Sequence, residues 1–245
     1  MESPETVILC QPDEKKGCCA CCGLFNFKEL SRESLSRFLS LGRERSRDYR
    51  GRGIDADAAE GSAVRDIASY VCPHQGFIFE GRPGCLLHPR YGGNSVRNDS
   101  FFGEKICASF LCPAHSLLNE EQKRLIIAHV DDWYYYTIAM IDPGSVRWLL
   151  ELLADTYRVG GESGGCVGRI LNSFLSIHAE YLRAYPGPVF FYSASEYSPG
   201  SNGFSLRYGA GRLDREKRDI RAAIESTLTD TPLFEEKRQP YPGNR

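Results

Sequence analysis

Long apolar runs are missing from this chain: no stretch approaches the twenty or so consecutive apolar residues that a membrane span needs, so no spanning helix is predicted. The opening residues, Met1 to Cys10, are acidic and only briefly apolar at Val7, Ile8 and Leu9. They lack the basic n-region and long h-region of a secretory signal, and the sequence therefore reads as cytosolic, with no membrane partner. Charge of one sign is scarce too. Thirty Lys and Arg stand against 32 Asp and Glu, a formal net charge of −2, which exerts no global pull toward DNA, RNA or anionic lipid. The one arginine-rich segment, Arg43, Arg45, Arg47, Arg50 and Arg52, is interrupted by Glu44 and Asp48 and has Tyr49 as its only aromatic. That pattern suits a solvated helix end better than a nucleic-acid arm, and no nucleic-acid partner is expected. Internal repeats and low-complexity blocks are absent as well.

Cysteine, by contrast, is abundant and concentrated. Eight of the ten cysteines fall between residues 18 and 112. The run Gly17-Cys18-Cys19-Ala20-Cys21-Cys22-Gly23 holds two interleaved C-x2-C pairs, Cys18 with Cys21 and Cys19 with Cys22. Such spacing lets a short loop aim two thiolates at one ion, as zinc knuckles and iron–sulfur proteins do. Cys72, Cys85, Cys107 and Cys112 complete the set, and three histidines follow closely on cysteines: His74, His88 and His115. Disulfide frameworks belong to short secreted chains in oxidising spaces. A cytosolic chain keeps its thiols reduced, and clustered cysteines then favour metal over disulfide.

The 245 residues, 42% hydrophobic, suffice for a sizeable core. They divide into a cysteine-cluster region over 1–116, a helical region with a short β-hairpin over 117–230, and a loosely ordered tail over 231–245. The expected fold is mainly α, an α+β chain with little strand, in which an irregular cysteine-rich, metal-bound lobe packs on a helical half. Ser31 caps a helix whose face carries Leu35, Phe38, Leu39 and Leu41 and which Gly51-Arg52-Gly53 ends. A second helix is predicted over 58–70, delivering Cys72. The glycines and prolines of 73–103 deny any long regular element, leaving this stretch to be held by something other than backbone ladders, a role that coordinated metal would fill. Asn119 with Gln122 begins a helix running through Trp133, whose aromatic run Trp133-Tyr134-Tyr135-Tyr136 should be buried on several sides. Further helices are predicted over 145–158 and 167–185, strands over 189–192 and 204–208, and a charged helix over 214–227.

A reactive group for catalysis is harder to find. Cys166 and His178, on one predicted helix, stand about 18 Å apart along its axis at ~1.5 Å per residue and do not meet. The glycine-rich stretch 160–168 lacks the Gly-Lys-Ser/Thr of a P-loop and reads as a connector. Asp131-Asp132 and Glu120-Glu121 are helix neighbours that diverge, surface or capping charges rather than acid–base pairs. The chain leans away from enzyme activity, with no catalytic residue assigned.

The order of the cysteine segments resembles the bacterial cysteine-cluster proteins named for a CxxCxxCC motif and described as zinc- or iron-chelating. There a cysteine run is followed by Cys-Pro, by a Gly-Cys segment and by a closing cysteine pair around an aromatic. Here the run at 18–22 is followed by Cys72-Pro73, by Gly84-Cys85-Leu86-Leu87-His88, and by Cys107 to Cys112 around Phe110. The run itself departs from the family pattern, being C-C-x-C-C, and which of Cys18, Cys19, Cys21 and Cys22 are ligands stays open. The resemblance spans 17–115 and implies metal chelation. The candidate ligands are Cys18, Cys21, Cys22, Cys72, Cys85, Cys107 and Cys112; eight cysteines suffice for one site or two. Isolated Cys10 and Cys166 read as inert buried thiols, and the three loop histidines as hydrogen-bonding groups rather than ligands. Zinc is the favoured ion and an iron–sulfur cluster the alternative, because the same thiolates hold either. A protein partner docking through the helical half, near Trp133 to Tyr136, is the remaining expectation.

Overall fold

The structure, a computed structural model, describes residues 7–52, 71–79, 81–88, 103–157, 164–184, 190–192 and 204–206, together with the single positions 218, 222 and 226. Over these residues the chain is mainly helical. A 3₁₀ turn at Leu24–Asn26 precedes α1 (Arg32–Ser40) and α2 (Gly42–Arg52). A hairpin follows, β1 (Gln75–Phe79) and β2 (Arg82–Cys85), and then six helices: α3 (Glu104–Ser109), α4 (Ala114–Leu117), α5 (Glu120–His129), α6 (Trp133–Ile141), α7 (Pro143–Tyr157) and α8 (Gly164–Ala184). A last hairpin pairs β3 (Phe190–Tyr192) with β4 (Phe204–Leu206), antiparallel.

The capping chemistry sets most of these boundaries. The Ser31 hydroxyl accepts from the Ser34 amide at 3.2 Å, starting α1, whose buried face is Leu35 and Leu39. This first helix is shorter than the sequence predicts. It stops at Leu41, half of whose surface is exposed (51%), and a separate α2 carries the chain through Arg52. Asn119 and Gln122 close a capping box, the Asn119 side chain accepting from the Gln122 amide at 2.8 Å and the Gln122 side chain from the Asn119 amide at 3.0 Å. The helix so begun ends at His129, not at the aromatics, because Asp132 Oδ1 accepts from the amides of Tyr134 and Tyr135, both at 3.0 Å, and opens a new helix. Asp142 repeats the device, taking bonds from the Ser145 amide and hydroxyl just ahead of Pro143's helix. The glycine-rich connector is shorter than expected as well: α8 already starts at Gly164.

α6 lies at the centre, with Trp133, Tyr134, Tyr136 and everything from Thr137 to Ile141 buried. It packs on α7 and α8, α5 packs on α8, and α4 on α7. Ile138, Met140, Ile141, Leu149, Ile170, Leu171 and Leu175 are fully enclosed there. The same apolar cluster continues into the first half through Leu9, Leu24, Phe25, Leu30, Leu35 and Leu39. Tyrosine hydroxyls stitch the seam, Tyr136 donating to the Leu9 carbonyl at 2.8 Å and Tyr134 to the Leu30 carbonyl at 2.7 Å. Trp133, Tyr134 and Tyr136 of the aromatic run are therefore part of an interior seam, with Tyr135 half-buried beside them. Among the described residues no helix is long and apolar enough to cross a membrane. The helices predicted over 58–70 and 214–227 and the tail over 231–245 fall wholly or almost wholly outside the described residues.

Candidate metal centre

The cysteine run is shaped by short-range backbone bonds. The Cys18 amide donates to the Cys10 carbonyl at 2.9 Å, laying the Leu9-Cys10 segment alongside the run. The chain then tightens: Gly23 takes a left-handed conformation (φ 81°), which its missing Cβ permits, and its amide bonds back to the Ala20 carbonyl at 3.0 Å. The Leu24 amide reaches the Cys19 carbonyl at 3.3 Å, and the 3₁₀ turn that follows buries Leu24, Phe25 and Asn26 as an anchor.

The other cysteines are brought to this turn by contacts from afar. The Cys72 amide donates to the Cys22 carbonyl at 2.8 Å, and Gln75 Nε2 donates to the carbonyls of both Cys22 and Cys72 at 3.1 Å. Across the hairpin Gln75 is registered with Cys85, and the Leu86 amide closes onto the His74 carbonyl at 2.8 Å. Gly17 lets the hairpin approach, since a Cβ there would fall 2.0 Å from the Pro83 carbonyl oxygen. A hairpin in a segment so rich in glycine and proline is a finding that sequence reasoning did not anticipate: two short strands hold Cys85, where metal alone had been invoked. Cys112 arrives from the opposite side, ahead of α4, with its carbonyl accepting from the His115 amide at 2.9 Å.

Cys10, Cys18, Cys21 and Cys112 line one small cavity of about 20 Å³, closed by Leu9, Ala20, Phe110 and Met140. A volume of that size has room for about one water-sized species. Electrostatics traces the whole pool of thiols. Burial pushes the Cys18 thiol well up, and the neighbouring Cys112, Cys21 and Cys10 push it further. Cys19 is raised by burial, then by Cys21, Cys85, Cys72 and Cys10. Cys22 is raised by the hydrogen bond it shares with Cys21, by burial, and by Cys21, Cys72 and Cys19 as neighbours. Cys112 is pushed to about 12 by burial and Cys21. Cys21 moves the other way, its thiolate lowered by the hydrogen bond from Cys22 against the cost of burial. Thiolates crowded out of water repel one another, and a bound cation reverses that balance.

One cation already stands nearby. Arg45 donates to the carbonyls of Phe38 (2.7 Å), Gln75 (2.7 Å) and Pro73 (3.2 Å), with its guanidinium 3.5 Å from the Phe38 ring centroid. Burial pushes it down to about 10, with Cys72 and Cys19 acting in the opposite sense. Among the described residues no carboxylate pairs with it.

The candidate ligands thus divide. Cys18, Cys21, Cys22, Cys72, Cys85 and Cys112 are brought together. Cys107, half-buried on α3, does not line the cavity. Cys19, which the sequence left open, and Cys10, which it set aside as inert, both join the group. Cys10's place depends on its backbone bond to the run, a pairing that residue spacing does not announce. Cys166 packs in the apolar core of the helical half. His74, wholly enclosed, bonds through Nδ1 to the Ser46 hydroxyl at 2.8 Å and meets the Tyr49 ring edge-on. His115 Nε2 lies 3.9 Å from Cys10 Sγ, and the His88 amide donates to the Cys85 carbonyl at 3.1 Å. All ten cysteines carry thiols rather than disulfides.

Among the described residues no group of three or more His, Cys, Asp or Glu side chains stands in ligating geometry around one point. The sulfurs are gathered but not drawn in onto a centre. Their chemistry still fits a metal: thiolates are the donors that Zn²⁺ and iron–sulfur clusters take, and four cysteines line the cavity. In comparisons with known proteins, no family model, curated protein or solved structure matches this chain.

Proposed function

We propose that this chain is a metal-binding protein that chelates zinc through clustered cysteine thiolates in a structural or regulatory role, in keeping with its resemblance to the cysteine-cluster family. The observation that carries the reading is the convergence of Cys10, Cys18, Cys21 and Cys112, from three separate segments, on one water-sized cavity. A buried thiol alone packs as a small hydrophobe. Many buried thiols raising one another's pKa are costly to ionise without a cation, and a cation is what would pull their protons off.

Zinc supplies a tetrahedral anchor and no redox chemistry. Each bound thiol gives up its proton to solvent, so binding weakens as pH falls. Cys10, Cys112 and the turn at 18–22 would hold it, with Cys72, bonded to that turn, and Cys85, on the hairpin, close by; the residues of the helical half supply the platform. A reducing, cytosolic compartment matches thiols that must stay reduced to bind. No catalytic step is assigned.

Elemental analysis with a visible spectrum on protein purified without oxygen tests this. Zinc with no visible absorbance is the expected result. Iron with sulfide and a brown colour would replace the zinc reading with a cluster held by the same thiols. Finding neither metal, together with no uptake on incubation with zinc, would overturn the proposal.

A further inference from the structure

We propose that the run Cys18-Cys19-Ala20-Cys21-Cys22 serves two metal sites by alternation: Cys18 and Cys21 with Cys10 and Cys112 in one, Cys19 and Cys22 with Cys72 and Cys85 in the other. The inference rests on the metal-binding reading and adds to it the number of ions and the identity of every ligand.

The alternation follows from what each cysteine of the run faces. Cys18 and Cys21 line the small cavity, and Cys19 and Cys22 do not. Each pair meets its own visitors. On the first, the Cys10 segment is fixed by the bond from the Cys18 amide to its carbonyl, and Cys10, Cys18, Cys21 and Cys112 share a cavity. On the second, Cys72 is fixed by its amide bond to the Cys22 carbonyl, and Gln75 clamps both of those carbonyls while facing Cys85 across the hairpin. Neither Cys72 nor Cys85 lines the first cavity. The two sets meet at the hydrogen-bonded Cys21–Cys22 pair, so the ions would be close neighbours.

Charge agrees with this division. Four thiols binding Zn²⁺ release four protons and leave a centre of net charge −2, which a buried site must offset. Arg45, lodged among three carbonyls beside Cys72 and Cys19, with no carboxylate partner among the described residues, supplies a positive charge at the second set. A half-buried arginine held by carbonyls without an acid gains from a nearby anion, and a thiolate centre would supply one.

The test is a titration of the intact, reduced, metal-stripped chain with Co²⁺ and separately with Zn²⁺. Cobalt should develop thiolate charge-transfer absorption that saturates at two equivalents, and zinc should displace both. Cys10→Ser and Cys72→Ser should each lower the capacity to one equivalent, and Cys107→Ser and Cys166→Ser should leave it at two. Saturation of the unaltered chain at one equivalent would overturn the two-site division while leaving metal binding intact; no uptake at all would overturn the metal reading beneath it. Because the unaltered chain is read directly, a variant that does not fold cannot rescue or sink the inference. A folded Cys10→Ser that still takes two equivalents, or a Cys107→Ser that takes one, would show that the ligands are wrongly assigned.

Discussion

The thiol region and the helical half are tied together by different means. In the helical half, several buried polar groups bond within their own helix or its cap, as Thr137 does to the Trp133 carbonyl and Gln122 to Asn119, while the Tyr134 and Tyr136 hydroxyls reach out to the first half. What joins one helix to the next is chiefly apolar contact, Phe174, Leu175 and Ile170 of α8 against the buried face of α6, with one polar bond from Asn172 of α8 to the His129 carbonyl at the end of α5. In the thiol region, long side chains reach to distant backbone as well: Arg45 to three carbonyls, Gln75 to two, and Arg82, only 1% exposed, to the Asp13 carbonyl at 2.6 Å. Few ladders exist there to satisfy the backbone, so side chains do it, and the interior they enclose holds sulfur beside apolar side chains. A region built in this way relies on these polar bonds as well as on the apolar anchor of Leu9, Leu24, Phe25 and Leu30.

The contrast breaks most visibly on metal removal. Structural zinc contributes on the order of 10–16 kcal/mol in small metal-dependent folds. With the metal stripped by a chelator, hydrogen exchange should accelerate across 9–27 and 72–87 while the amides of 166–182 keep their protection. Loss of protection along the whole chain at once would mean that the two regions form one cooperative unit. The reverse experiment comes next in size. Phe174→Ala empties a buried aromatic site in α8 (1% exposed) and should cost about 3–5 kcal/mol in urea unfolding, with bound metal per chain unchanged. Smaller again is Gln75→Leu, which leaves the Cys22 and Cys72 carbonyls without their shared donor. A loss of about 1–3 kcal/mol is expected. Supporting contacts of this kind typically change metal affinity by roughly 10–100-fold, so competition against a chromogenic chelator should show weaker binding.

How far these two regions can be read in the sequence differs for the same reason. Helices of the second half announce themselves through local chemistry: the Asn119–Gln122 box and the leucine spacing along 145–158 both act within a turn or two. The misplaced boundaries were ones where a second capping residue, Asp132, intervened inside an apolar run, and an acidic residue ahead of aromatics is easily taken for surface charge. The thiol region depends on long-range bonds. The run at 18–22 was legible as a cluster because its spacing is local. Cys10 and the β1–β2 hairpin were not, since a bond from the Cys18 amide to the Cys10 carbonyl and a glycine pressed against Pro83 leave no periodic trace. Cys107 was grouped with the rest on sequence order; it lies on α3 and does not line the cavity.

The finest distinction lies where the regions touch. The Lys16 ammonium sits between Asp13 and Asp131, both at 3.0 Å, joining the approach to the cysteine run to the start of α6. Burial pushes the Asp13 carboxyl up, but the hydrogen bonds from the Lys16 side chain and from the Lys15 and Lys16 amides outweigh it, and the net shift is below the ordinary 3.8. A lowered carboxylate contributes stability that is present above the unfolded value and lost as pH falls through the folded one. Lys16 is the mirror case: burial pulls it down, Asp13 and Asp131 pull it further up, and its contribution holds below the ordinary 10.5 and fades as pH rises through the higher folded value. The cluster is therefore fully effective between about pH 5 and pH 10 and weakens at both ends. Asp13 keeps about a third of its side-chain surface (34%) in water, so screening holds its effect within about 1 kcal/mol. Metal release in acid acts on the parent and on Asp13→Asn alike, and the difference between them isolates the carboxylate. That difference should be largest near neutrality and shrink toward zero by pH 3 in paired urea unfolding curves. A gap of constant size down to pH 3 would mean that Asp13 acts through the shape of its turn and not through its charge.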